Sequence, residues 1–262
     1  MNAFRPPLNP TQRFSDRVDD YVRYRPSYPA ALMGRLAVLG RLEVGRVVAD
    51  VGSGTGILTR LLLAKGARVI GIEPNSAMRA AAERAFSGEA RFESKDTRAE
   101  ATGLADASVD MITAAQSFHW FDPVAARAEF ARILKPGRPV ALIWNQRFDT
   151  PLNRDYVAML ERFAPEYQPL RERDRVAEAR VRPFFAPQAV ELEAFAFEQR
   201  LDEAGLRGRL ASESCTPRAG HPLYEPMMAE LTSIFRRYAE NGEVVLQYET
   251  ILWHGSLACD SR

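Results

Sequence analysis

The stretch from Val47 to Ala64 constrains this chain more than any other. A short apolar run, Val47-Val48-Ala49-Asp50-Val51, leads straight into Gly52-Ser53-Gly54-Thr55-Gly56, and an apolar segment with helical character, Ile57–Ala64, follows. Strand, glycine turn and helix in that order let the backbone reverse sharply and approach a ligand without Cβ clashes. They also aim the free N–H groups of the new helix at whatever sits there. The glycines fall at every second position, so the spacing differs from the G-x-G-x-x-G of dinucleotide sites. No Gly-Lys-Ser/Thr follows, which excludes the phosphate-binding P-loop. An acid, Asp50, stands two residues before the first glycine and suits a cationic or hydroxyl-bearing ligand better than a pyrophosphate.

The segments after this unit repeat its alternation. Arg68–Ile72 is a second apolar run and ends at Glu73-Pro74, Ser76–Phe86 is alanine-rich and helical, and Ser108–Ala114 is a third run. Asp122-Pro123 opens a helix, with Asp as N-cap and Pro in the first turn. That helix runs to Leu134 and stops at Lys135-Pro136-Gly137, and Pro139–Trp144 reads as a further strand. Alternating strands and helices imply a parallel sheet covered on both faces, with ligands at the carboxyl ends of the strands. Upstream, residues 1–15 read as an arm, 16–24 as one or two helical turns, and Ala30–Leu39 as a helix. Downstream, 147–188 is charged, proline-containing and partly helical around Asn153–Phe163. Leu192–Gln199, Gly208–Cys215 and Val244–Trp253 read as strands and Tyr224–Tyr238 as a helix. The expected organisation is a single domain over 1–262: an N-terminal cap (1–33), a ligand-binding core (34–146), an insertion or lid (147–188), and C-terminal strands with a helix (189–262).

Composition narrows the function classes. The 262 residues are 46% hydrophobic and 26% charged, with a formal net charge of +1, so the chain can fill a core and has no basic field to attract nucleic acid. Of 35 basic residues three are lysine (Lys65, Lys95, Lys135) and 32 are scattered arginines. Cys215 and Cys259 are far apart and match no metal spacing, which points to a reducing compartment. The first residues lack an apolar leader and no stretch approaches the length of a membrane span. The expectation is a cytoplasmic protein, monomer or homodimer, with no nucleic-acid or membrane partner.

Asp50 to Gly56 followed by Glu73 resembles the first motif and the following acid of the class I S-adenosylmethionine-dependent methyltransferases. Ala105–Asp110 resembles the lead-in to that family's fourth strand, Ala115–Phe121 the sequence after it, and Glu129–Gly137 the approach to the fifth. The resemblance covers about residues 14–146. Phe14, the segment Tyr21–Pro29 and His119-Trp120-Phe121 are similar to type 11 methyltransferases, in particular the branch related to trans-aconitate methyltransferase. Two departures stand out: Arg138 where that branch often has glycine, and Cys215 where it has tyrosine.

The resemblance implies a Rossmann-like α/β fold with a mostly parallel seven-stranded sheet, and methyl transfer from S-adenosylmethionine, without a metal, to a small-molecule acceptor. It implies that Asp50, Gly52, Ser53, Gly54, Thr55 and Gly56 hold the methionine part of the cofactor. Glu73 with Pro74 would hold the ribose, Ala99 and Glu100 in the Thr97–Glu100 loop the adenine, and Gln116 and Arg25 would complete the pocket. Tyr21, Tyr28, Trp120, Trp144 and Asn145 are the expected acceptor contacts. His119 is the candidate general base, the competing reading being that it orders its loop or closes the cofactor pocket. No acid–base pair stands out, which favours a carboxylate or another ready nucleophile as acceptor. A macromolecular acceptor and a non-catalytic cofactor-binding protein are the alternatives.

Overall fold

The computed structural model describes residues 17–257. Phe14 and the rest of the arm, and Cys259, lie outside the described residues, as do the side chains of residues 173, 174, 176 and 177. Two short helices, α1 (Val18–Tyr24) and α2 (Ala30–Gly40), precede an alternating core of β1 (Val47–Val51), α3 (Ile57–Ala64), β2 (Arg68–Ile72), α4 (Ser76–Ala85), β3 (Phe92–Lys95) and β4 (Met111–Ala115). A single 3-10 turn at Phe118–Trp120 leads into α5 (Pro123–Ile133) and β5 (Pro139–Arg147). Three helices follow, α6 (Pro151–Phe163), α7 (Tyr167–Ala179) and α8 (Val181–Phe185). The chain closes with β6 (Glu191–Leu201), α9 (Glu203–Ala211), α10 (Tyr224–Tyr238) and β7 (Val244–Ser256).

The strands form one seven-stranded sheet in the order β3-β2-β1-β4-β5-β7-β6. β1 to β5 pair in parallel. β7 runs antiparallel between β5 and β6. The chain winds outward from β1 to β3, then returns to place β4 on the other side of β1. That reversal leaves a crevice at the carboxyl ends of β1 and β4, where open sheets of this kind bind ligands.

Period-two alternation divides the core between the two faces of the sheet. Val48, Val69, Met111, Ala141 and Ile143 pack with Leu36 and Leu62 on the α2–α3 side. Ala49, Ile70, Ile112 and Leu142 pack with Phe130 of α5 and Phe185 of α8 on the other. A third cluster, around Tyr156, Met159, Leu206 and Leu231, joins α6, α9 and α10 to the far end of β7.

Two expectations from sequence need correction. Gly208–Cys215 is not a strand: its first four residues end α9. Asp202 caps that helix by accepting from the Gly205 N–H at 2.7 Å, and Leu206 and Leu210 bury one helical face. The packing requires a small residue where that run begins, because a Cβ on Gly208 would stand 2.2 Å from the Tyr24 ring of α1. The third apolar run likewise starts its strand at Met111 rather than Ser108. Val109 makes an isolated bridge to Leu134, and the Asp110 carboxylate takes the Val47 N–H at 3.0 Å.

Candidate functional site

A cavity of about 600 Å³ opens at the reversal point, lined by the glycine loop, the ends of β2 and β4 and the loop after β3. Gly52 and Gly54 adopt left-handed φ of 69° and 58°. A Cβ on Gly52 would stand 2.4 Å from Ser117 Cβ. On Gly54 it would meet only Met78 Cε at 3.6 Å among the described residues, so bare backbone faces the cavity there. The third glycine is different. Gly56 does not line the cavity; it precedes α3 at φ 85°, and a Cβ would lie 2.4 Å from the Phe86 ring. Its small size lets α3 and α4 pack.

Two carboxylates dominate the electrostatics of this cavity. Asp50 is 1% exposed and accepts from Thr59 Oγ1 at 2.7 Å and Thr113 Oγ1 at 2.8 Å. Burial pushes its carboxyl up to about 6, against the pull of those hydroxyl bonds. Glu73, at the end of β2, accepts the Gly54 N–H at 2.9 Å and the Asn75 N–H at 2.7 Å, one on each oxygen. Burial raises it too, against the same backbone bonds. Each oxygen keeps lone-pair capacity for a ligand hydroxyl. Thr55 Oγ1 is buried in the cavity lining without a hydrogen-bond partner among the described residues.

Ser53 and Pro74 line the cavity beside these groups, as do Ala99 and Glu100, whose carboxylate accepts the Asp122 N–H at 2.8 Å. Gln116 follows β4 with φ 56°, a strained conformation for a residue with a Cβ. Its Nε2 donates to the Asn145 carbonyl at 3.3 Å.

A second cavity of about 900 Å³ adjoins the first and shares Tyr21, Tyr28, Ile57, Gln116 and Trp120 with it. His119, Trp144 and Asn145 line only this larger space. The Asn145 side chain is already engaged, donating to the Ser27 carbonyl at 3.1 Å and accepting from Thr250 Oγ1 at 2.7 Å. It thereby holds the N-terminal segment, with Tyr28, against the sheet. Burial holds the Tyr28 hydroxyl neutral, its pKa raised well above the usual value.

Arg25, expected beside the cofactor, lines the larger cavity rather than the glycine-loop cavity. It stacks on the Tyr21 ring at 4.9 Å and its Nη1 stands 3.4 Å from Glu213. Glu213 takes a second guanidinium from Arg209 at 2.9 Å and a third from Arg147. Sequence reading missed these three residues. The signals were local: Arg147 is two residues beyond Asn145 and so on the same face of β5, and Arg209 and Glu213 are four apart at the end of a helix. Among the described residues, Glu191, Glu193 and His254 form one cluster that could hold a metal, but it lies outside both cavities and Arg35 already pairs with it.

Residues 49–142, which supply all of the smaller cavity's lining except Tyr21 and Tyr28, match the methyltransferase domain family designated type 11. Over these residues the chain is similar to the class I S-adenosylmethionine-dependent methyltransferases. An uncharacterised methyltransferase of Mycobacterium tuberculosis is 37% identical to it over 134 residues, 51% of this chain and 52% of that one. A methyltransferase-like protein of Schizosaccharomyces pombe is 30% identical over 138 residues, 52% and 53% of the two chains. The chain thus spans about half the length of these curated relatives. A structure from Anaeromyxobacter dehalogenans, described as a candidate type II methyltransferase, is 26% identical, with TM-score 0.64 over 88% of this chain and 97% of its own. The fold is shared with a Haemonchus contortus phosphoethanolamine N-methyltransferase solved with S-adenosylhomocysteine, at 15% identity and TM-score 0.53 over 98% and 61% of the two chains.

The smaller cavity fits S-adenosylmethionine on its own chemistry. Backbone bared at Gly54 and an orphaned Thr55 hydroxyl suit polar ligand atoms, the buried Asp50 carboxylate suits an ammonium, and the free lone pairs of Glu73 suit a pair of hydroxyls. No helix of the described residues is long and apolar enough to cross a membrane.

Proposed function

We propose that this chain transfers a methyl group from S-adenosylmethionine to a small molecule held in the larger cavity, with a carboxylate as the leading acceptor. One observation carries the reading: two adjoining cavities share a narrow set of residues, and one of them bears the acids and glycines of a cofactor site. Bound in the smaller cavity, the cofactor supplies an electrophilic methyl on a cationic sulfur.

The residues have distinct tasks in this reading. Asp50, in its ionised form, offsets the cofactor's ammonium, and Glu73 takes the ribose hydroxyls while pinning the Gly54 N–H. Tyr21, Tyr28, Gln116 and Trp120 form the wall between donor and acceptor, and fix the line of approach. Holding the reacting atoms in line at about 3 Å is worth more here than acid–base chemistry. A carboxylate acceptor is already ionised at neutral pH and needs no base. A hydroxyl or ammonium acceptor would need one, and His119, which lines the acceptor cavity, is the group for it. The similarity to the trans-aconitate methyltransferase branch supports the carboxylate. A cytoplasmic enzyme, monomeric or homodimeric and needing no metal, is the expectation that goes with this reading.

The test is incubation of the full chain with methyl-labelled S-adenosylmethionine and a small-metabolite extract, with label counted before and after mild alkali. Alkali-labile label in the small-molecule fraction supports a methyl ester. Alkali-stable label moves the acceptor to a hydroxyl that becomes an ether, a nitrogen or a carbon, and His119→Gln should then lower kcat. Label on macromolecules would overturn the small-molecule reading. Binding of S-adenosylhomocysteine without any label would favour a binding protein.

A further inference from the structure

We propose that Arg25, Arg147 and Arg209 form an anion subsite in the acceptor cavity, which anchors an anionic group of the acceptor distant from the atom that is methylated. The inference rests on reading the larger cavity as the acceptor site. The three guanidiniums come from three elements: the end of α1, the end of β5, and α9. All three line the cavity. Among the described residues, Glu213 is the one carboxylate in ion-pair contact with them. The cluster therefore carries three cations against one anion, an excess of two positive charges in a largely buried place.

Uncompensated buried charge is costly, and a purely structural network would be expected to balance its signs. This one is under-filled in its hydrogen bonds as well. The Nε atoms of Arg25 and Arg147 are buried without a partner among the described residues, and so is the hydroxyl of Tyr156 beneath Arg147. The guanidiniums are also held in place before any ligand arrives. Arg25 stacks on Tyr21 at 4.9 Å, Arg147 on Tyr156 at 4.8 Å, and Arg209 Nε donates to the Tyr248 hydroxyl at 3.3 Å. Planar, fixed and multidentate donors suit a carboxylate or a phosphate monoester. Burial works against the charged form of Glu213, yet Arg209, Arg25 and Arg147 hold its carboxyl well below the usual range, so it stays ionised.

Position separates this subsite from the methyl-transfer point. Gln116, which faces both cavities, bonds to the carbonyl of Asn145, and Arg147 lies two residues further along β5. At about 3.3 Å per residue that is about 7 Å beyond the wall between the cavities. Glu213 is then a built-in competitor: it keeps the arginines ordered in the empty site and limits how much negative charge the subsite accepts.

The experiment titrates full-length protein, with and without saturating S-adenosylhomocysteine, with succinate, glycerol 3-phosphate and the neutral ester dimethyl succinate at low salt. At least one anion should bind at least tenfold more tightly than the ester, and the stronger of the two identifies carboxylate or phosphate as the preferred group. Arg25→Gln leaves two arginines to hold Glu213 and should weaken that anion at least tenfold with unchanged S-adenosylhomocysteine affinity. Glu213→Gln should tighten the anion at least tenfold and make thermal stability rise steeply with added anion. A structural staple would move neither affinity. No preference for either anion over the ester, or wild-type anion affinity in both variants, overturns the subsite. Failure to bind S-adenosylhomocysteine would instead count against the proposed function, whatever the anions do.

Discussion

Asp50 gives the cofactor site a pH dependence that can be worked out in advance. Its folded carboxyl sits at about 6 against an ordinary 3.8, because burial disfavours the charge. A cofactor ammonium placed near it reverses that preference, and an opposite charge in contact lowers a carboxyl by about 1–3 units. At pH 5 about one-tenth of the empty sites carry the ionised form, and at pH 8 nearly all do. S-adenosylhomocysteine should therefore bind about tenfold more weakly at pH 5 than at pH 8, a difference of about 1.4 kcal/mol. Glu73 is raised in the same direction and adds to the trend. Calorimetry between pH 5 and 8 at constant ionic strength measures it, with His119→Gln as a control for the histidine that lines the adjoining cavity. Asp50→Asn should bind weakly at every pH and lose Asp50's share of the slope. A flat wild-type profile, or a slope unchanged in Asp50→Asn, would refute the reasoning.

The same shift has the opposite sign for the stability of the empty protein. A carboxyl raised on folding contributes most at low pH, where it is protonated in both states, and that contribution disappears as pH rises from 3.8 through about 6. Above that window the ionised group costs about 3 kcal/mol. Asp50→Asn removes the charge and keeps an acceptor for Thr59 or Thr113, so at pH 8 the empty variant should melt higher than wild type while binding cofactor worse. Activity and stability are set against each other at this one residue.

The glycines separate by what they face. Gly54→Ala has room beside Met78 but must hold φ 58°, so it should cost about 1–2 kcal/mol of stability and abolish cofactor binding in a folded protein. Gly56→Ala would drive a Cβ into Phe86 and should cost more, about 2–5 kcal/mol by denaturant titration. Glu73→Ala removes the ribose acceptor and frees the Gly54 N–H, weakening S-adenosylhomocysteine by about 1.5–3 kcal/mol, roughly 10- to 150-fold. Unchanged affinity would dismiss the ribose assignment. Gly208→Ala lies outside both cavities yet collides with Tyr24, so α1 should lift and carry Tyr21 from the shared wall. The expected readout is weaker S-adenosylhomocysteine binding without a change at the glycine loop, and wild-type affinity would show that α1 does not cover the cofactor.

What the sequence discloses and what it hides follow from range. The smaller cavity is built from contiguous units in which strand, turn and acid stand within a few residues, so Asp50, Gly52, Gly54 and Glu73 are visible without a fold. Gly56 shares their spacing, and only the approach of Phe86 from α4 separates a packing glycine from a binding one. α9 shows the converse. Its run from Gly208 reads as strand because the partner that demands a small residue, Tyr24, is far away in the chain and invisible to local periodicity. The acceptor half depends throughout on such distant meetings. Arg25, Arg147 and Arg209 are three of 32 arginines whose scatter looks like background composition, and the pairing of β5 with β7 and the docking of α1 on α9 bring them to one wall with Glu213. In the proposed reading, donor chemistry therefore sits in local motifs, while selectivity toward the acceptor is written in long-range contacts.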